Sequence, residues 1–297
     1  MRGTGLAAVL ALACICVAAC GSAVSTPAGP STSIASSASS SAAGASTTPT
    51  TSDATPQPTI RPTATATPTP TASPAANKTD WQLDLYNASG IRHQWPDYDA
   101  CTATSVQIAL NLSRLSGNDS GWAVATDYDT QEQILAYERA HMYQPTSAKG
   151  SDPLGVKNAL NYYGTLPYSD HGFSTVEDAA KAVVTSIART HSPAVIFPMF
   201  GGHAQVVSGY RVTGHDPSLS NDFKVVGFYI TDPSRGSISD FYDGKDHMVT
   251  TVGDDVYVTL SQWKSGSDAV RFTKFLQKDG GKNSHWYGKY VAVVAVV

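Results

Sequence analysis

The stretch TSDATPQPTIRPTATATPTPTASPAAN, residues 51–77, decides where this chain can fold. It continues a run of Ser, Thr, Ala and Pro that starts at Gly21, holds almost no aromatic side chains and carries only scattered charges such as Asp53 and Arg61. Such a segment buries too little apolar surface to offset the entropy of ordering it. Residues 20–78 therefore read as a disordered tether with an r.m.s. reach of roughly 40 Å, stiffened by its prolines. Everything that packs is expected in one domain, residues 79–297, a length that normally buries most of its surface around a single core. No second low-complexity break divides it.

Ahead of the tether stands MRGTGLAAVLALACICVAAC, one arginine followed by an apolar run of signal-peptide length, too short and too weakly flanked for a spanning helix. Its last four residues, Val17-Ala18-Ala19-Cys20, resemble the lipobox of bacterial lipoproteins. That resemblance implies removal of residues 1–19 and a lipid on Cys20, which would hold the domain on the outer face of the cell membrane. The other reading is a plain secretory signal cut after an Ala-x-Ala-like site.

The formal charge of -4 and a pI near 6.0, with no cluster of Lys and Arg interleaved with aromatics, argue against nucleic-acid binding. Of the four cysteines, Cys14 and Cys16 lie in the apolar run and Cys20 at its end, so Cys101 is the only thiol in the expected domain. A disulfide framework is excluded there. A lone extracytoplasmic thiol is either a buried core residue or a reactive group.

The context of Cys101 favours chemistry. From Cys101 to about Leu115 an apolar face (Ala103, Val106, Leu110) predicts a helix, ended by Ser116-Gly117, with the thiol at its start. Three more helices are predicted. Asp129–His141 has Glu132 three residues after Asp129, a capping-box-like start; the next has Asp152 as cap, Pro153 in the first turn and Gly164 as stop; the last begins at Ser174 and reaches about Thr190. Beyond it the period turns to β: two runs within 192–212 separated by Gly201-Gly202, a strand from Phe223 ending in Asp232-Pro233, VYVTL at 256–260, and KYVAVVAVV, apolar enough to lie inside a sheet. Helices first and strands second predict an α+β fold with the first helix packed on an antiparallel sheet.

This order sets Cys101 at a helix start, His203 at the start of a strand and Asp232 at the end of the next. A helix N-terminus and an imidazolium both favour a thiolate, and the imidazole needs an acceptor on its other nitrogen to fix its tautomer. Antiparallel pairing of the two strands would bring His203 and Asp232 together. Asp216, which also precedes a proline, is the rival orienter.

Three motifs resemble the papain-like cysteine peptidases that include the double-glycine leader peptidases of bacteriocin exporters. HQWPDYDACTATSVQIAL supplies a glutamine ahead of the cysteine that opens a helix; HAQVVSGY matches the family's His, aliphatics and Gly-Tyr; YITDPSRG matches its Asp-Pro after an aliphatic strand. The resemblance implies a papain-like fold and a Cys-His-Asp triad: Cys101 as nucleophile, His203 as base, Asp232 as its orienter and Gln94 as the oxyanion amide, with a thioester acyl-enzyme and no cofactor. Thr102 and Ala103 depart from the family's Gly-Pro, and the expectation is that Thr102 adds bulk beside the oxyanion site. The segment VTGHDPSLSND lengthens the link between the two strands and is expected to leave the pair undisturbed.

The other readings are bland ones. Gln94 serves equally as a surface amide, and the remaining histidines fall in loops or at element ends. His215 with Asp216, and Asp243 with Asp246 and His247, lack any recognised metal spacing, so no metal is expected. The expected partners are a peptide or protein substrate and, through Cys20, the membrane; the domain is expected to be a monomer. The alternatives to a peptidase are a cell-wall amidase or endopeptidase and an inactive surface binding module on the same scaffold.

Overall fold

The computed structural model describes residues 79–95, 99–143, 150–241, 246–276 and 285–296. The signal segment 1–19, Cys20, the tether 20–78 and the metal candidate Asp243 lie outside these residues.

Strand β1 (Asp80–Asp84) opens the domain, followed by α1 (Cys101–Leu115), α2 (Tyr128–Ala140) and α3 (Pro153–Tyr163). Then come β2 (Tyr168–Phe173), α4 (Val176–Thr190), β3 (Ala194–Ile196), β4 (Gln205–Gly214) and β5 (Phe223–Thr231). A hairpin of β6 (Ser237–Phe241) and β7 (Asp246–Thr250), then β8 (Val256–Thr259), α5 (Leu260–Ser265) and β9 (Tyr290–Ala295) complete it. One seven-stranded sheet runs β2-β9-β3-β4-β5-β8, with β1 also paired to β4, and every pairing in it is antiparallel.

The fold class is α+β, with α1 on an antiparallel sheet as the pattern predicts. Both faces of the sheet are covered. On β9, Val291 and Val293 face a core shared with Val106 and Leu110 of α1, Ile134 of α2 and Leu160 of α3; Ala292 and Val294 face a second core with Val183 and Ile187 of α4 and Phe228 of β5. Burial on both faces explains why this strand is a continuous apolar run rather than an alternating one.

Two strands, β1 and β2, escape the helices-then-strands reading, and the β6–β7 hairpin and helix α5 are further elements that the sequence reading lacked. β1 is five residues with alternating exposure, and β2 (YSDHGF) is polar because it pairs only with β9 at the sheet edge. Two helix caps also differ from expectation. Asp127, in extended conformation, accepts from Thr130 N and starts α2, so Asp129 falls in its first turn; Thr175 accepts from Asp178 N and starts α4. In both, the capping residue is the one whose backbone leaves the helical region while its side-chain oxygen reaches the N3 amide. α3 follows the sequence reading, with Asp152 as cap and Gly164 after its last turn.

α1 is the central helix. All twelve residues from Thr102 to Ser113 are buried, so its polar side chains must find partners inside the protein. Asn111 Nδ2 donates to the carbonyls of Gly90 and Ala125 while its Oδ1 accepts from Trp122 Nε1. Gln107 Oε1 accepts from Gln131 Nε2 of α2, which also donates to His93 O. Thr102 donates its hydroxyl to Glu138 Oε2 at 2.7 Å.

Candidate active site

The approach to His203 is a strained turn. Met199, Phe200 and Gly201 all have positive φ (51°, 56° and 88°), a conformation that costs of order 1–3 kcal/mol for each residue with a side chain. Surrounding bonds hold it. Phe200 N donates to Thr273 Oγ1, Leu276 N to Phe200 O, and Gly202 N to Met199 O. Gly201 is required twice over, by its φ and because a Cβ there would lie 2.4 Å from the Phe275 ring.

This turn delivers His203 two residues ahead of β4, and the antiparallel β4–β5 register pairs Val206 with Thr231, the residue before Asp232. His203 Nε2 lies 2.9 Å from Asp232 Oδ1, with the side chains 2 % and 0 % exposed. The imidazole is also hydrogen-bonded to Cys101, which is half-buried at the start of α1. The three residues singled out in the sequence are thus brought together, in the order thiol, imidazole, carboxylate.

Asp232 sits in a nest of donors. Oδ1 accepts from Ser234 N at 2.9 Å, Oδ2 from Gln205 Nε2 at 2.8 Å and from Val252 N at 3.4 Å. Burial pushes its carboxyl upward, but the charge and hydrogen bond of His203, with those of Ser234 and Gln205, outweigh it and hold the pKa below the usual value. An ionised Asp232 can only accept, so Nε2 carries a hydrogen and Nδ1 is left for the thiol. For His203, burial works against charge; the Asp232 charge and hydrogen bond, then the hydrogen bond and charge of Cys101, prevail and push it up to about 10. The imidazole is therefore cationic at neutral pH.

Gln94 enters from the other side of the Asp232 loop. Its backbone N donates to Pro233 O at 2.7 Å, and its neighbour His93 bonds Asp254 Oδ1 at 2.9 Å, so the segment is clipped at two points to the chain around Asp232. Gln94 Oε1 is buried and has no hydrogen-bond partner among the described residues.

Asp216 takes no part. It accepts from the backbone and hydroxyl of Ser218 in the turn linking β4 to β5. That turn sits beyond Gly214, eight residues along β4 from Val206 and so roughly 25 Å from the site. The lengthened connection therefore leaves the His203–Asp232 pair undisturbed. Thr102 does not crowd the approach to the thiol, since its buried hydroxyl is turned toward α2 and Glu138. That expectation is corrected: a buried acceptor on the neighbouring helix captures the side chain.

Two site residues went unread in the sequence. Gln205 stands two positions after His203, the spacing that puts strand residues on one face, and it donates both to Asp232 and to Ala269 O. Glu138 falls i+4 from Ile134 on the buried face of α2, an acid within an apolar stripe. Among the described residues no group of three or more His, Cys, Asp or Glu converges to hold a metal, and no helix is long and apolar enough to cross a membrane.

The chain matches no protein-family model and no curated protein. Among solved structures it aligns with the crystal structure of UfSP from C. elegans, at a TM-score of 0.34 and 15% sequence identity, over 69% of this chain and 32% of that one. The chain thus spans about a third of that protein's length.

Proposed function

We propose that this domain is a papain-like cysteine hydrolase that cleaves peptide or amide bonds outside a bacterial cell, tethered to the membrane through a lipid on Cys20. The observation that carries the reading is the doubly bonded imidazole of His203, held by Asp232 on one nitrogen and by Cys101 on the other side. A cationic imidazole beside a sulfur at a helix N-terminus favours the thiolate, the form that attacks a carbonyl.

In this scheme the Cys101 sulfur bonds the carbonyl carbon, the C–N bond breaks, and His203 gives its proton to the leaving amine. The resulting thioester is hydrolysed by a water whose proton returns to His203. Asp232 keeps the imidazole oriented and stabilises its charge without accepting its proton. Gln94, clipped to the Asp232 loop, supplies an amide for the developing oxyanion. The chemistry draws on these side chains and needs no cofactor or metal. The partners are a peptide or protein substrate and the membrane, with the domain acting as a monomer.

The test has two arms: alkylation of Cys101 by iodoacetamide in the native protein at pH 6, and, in a separate unalkylated sample, incubation with a diverse peptide library or with purified peptidoglycan, reading the acyl-enzyme by mass spectrometry. Rapid alkylation and a peptide adduct on Cys101 are expected. An adduct from peptidoglycan alone would make the enzyme a cell-wall hydrolase. A folded protein whose Cys101 resists alkylation would be a binding module instead.

A further inference from the structure

Helix α1 starts without a side-chain cap. Ala100 holds the N-cap position, and no side chain closes the first turn from there. The first backbone N–H groups of a helix have no partner within it, and loss of a capping oxygen typically weakens a helix start by about 1 kcal/mol. Thr102 compensates from within the first turn by donating to Glu138 Oε2, and both side chains are buried.

Glu138 is an expensive residue to put there. It is fully buried in the last turn of α2 and forms no ion pair with a described residue. Asp152, the cap of α3, adds its charge nearby, and the flanking Arg139 offsets only part of it. Burial first, then Asp152, outweigh the lowering by the hydroxyls of Thr102 and, to a smaller extent, Ser151 and push the carboxyl up to about 8, so it is neutral at pH 7. An apolar pair of similar volume would fill the same space without a buried acid. Stability alone does not account for the residue.

We propose that Glu138 is a positioning residue for Cys101: through Thr102 it fixes the first turn of α1 in place of the missing cap, so that the sulfur stays on His203 while the first-turn N–H groups remain unclaimed by a capping side chain. The proposal rests on the reading of Cys101 as the nucleophile. A side-chain cap would occupy those amides, which lie where negative charge gathers on the sulfur and on the carbonyl it attacks. A clamp from the neighbouring helix holds the turn without using them.

The experiment uses the full chain and reads alkylation at Cys101 alone by peptide mass spectrometry, at pH 7, beside the thermal unfolding midpoint. Thr102→Val and Glu138→Leu are expected to slow alkylation about tenfold or more, because reactivity falls steeply when a reacting group is displaced. Thr102→Ser and Glu138→Gln keep a donor and an acceptor and are expected to stay within about twofold of the parent. The double variant Thr102→Val/Glu138→Leu removes both polar partners, a change close to neutral for stability, and it should remain folded yet slow. A folded double variant alkylated at the parental rate would overturn the clamp. A parent protein inert at Cys101 would instead remove the nucleophile, and the clamp's purpose with it.

Discussion

Gln205 Nε2 donates to Asp232 Oδ2 at 2.8 Å, on the carboxylate oxygen that His203 leaves free. The same amide nitrogen donates to Ala269 O at 3.0 Å, which ties the carboxylate to the segment after α5. Gln205→Leu would leave Oδ2 with only the long contact from Val252 N. The variant is expected to lose about 1–3 kcal/mol, the cost of a buried acceptor left short of a donor, and denaturant unfolding checks it. Alkylation of Cys101 at pH 6 should slow as well, because the imidazole loses a fixed partner.

The His203–Asp232 pair sets a pH window for stability. His203 is raised from 6.5 to about 10, so its contribution is complete below pH 6.5 and is lost as pH rises through about 10. Asp232 is lowered from 3.8, so its contribution is present above that value and is lost as pH falls through its folded pKa. Replacing His203 by Gln leaves a buried carboxylate without its cation, a loss of about 3–5 kcal/mol. The difference between parent and variant, measured by urea unfolding, should be largest between pH 4 and 6.5 and shrink toward pH 10.

Glu138 tilts stability the opposite way. Its pKa is raised from 4.5 to about 8, so the folded state holds a proton that the unfolded chain has released across that interval, and stability falls as pH rises through it. Glu138→Gln removes this slope. The unfolding midpoint of the variant should gain on that of the parent between pH 5 and pH 8, by about 2–4 °C for each kcal/mol recovered in a domain of this size. Equal gains at both pH values would show that the carboxyl does not titrate in this range.

Gly201→Ala meets both a positive φ and the Phe275 ring. It should destabilise the domain by at least about 1–3 kcal/mol and displace His203, lowering turnover more than substrate affinity. Steady-state kinetics on any substrate that acylates Cys101 would separate the two.

Gln94→Ala keeps the backbone bond to Pro233 O, so folding should be unaffected. Turnover is expected to fall by about 10² to 10³, the usual cost of one lost oxyanion donor. A drop below threefold would remove Gln94 from the oxyanion role.

The candidate site was legible where its geometry follows from chain order. His203 and Asp232 meet because two successive strands pair antiparallel, and Cys101 arrives at a helix start that apolar periodicity marks. Gln205 and Glu138 were not legible in the same way, since each matters through a partner far along the chain, 27 residues away for Gln205 and 36 for Glu138. Local chemistry also misled at the start of α2, where Asp129 and Glu132 imitate a capping box but the backbone turns at Asp127. β1 and β2 went unread for a related reason. Each is short and partly polar, and each becomes a strand by pairing with a longer apolar neighbour.

Strand β4 bonds to three others, β3 and β1 along one edge and β5 along the other. Its amides therefore break free only when much of the sheet comes apart, which places them among the slowest to exchange with solvent deuterium. His203 stands just ahead of this strand, whereas Cys101 rides on the first turn of a helix, where fraying begins. The two halves of the site thus differ in kinetic durability: the imidazole is moored to the part of the domain that opens last, whereas the sulfur depends on how firmly the first turn of α1 is held.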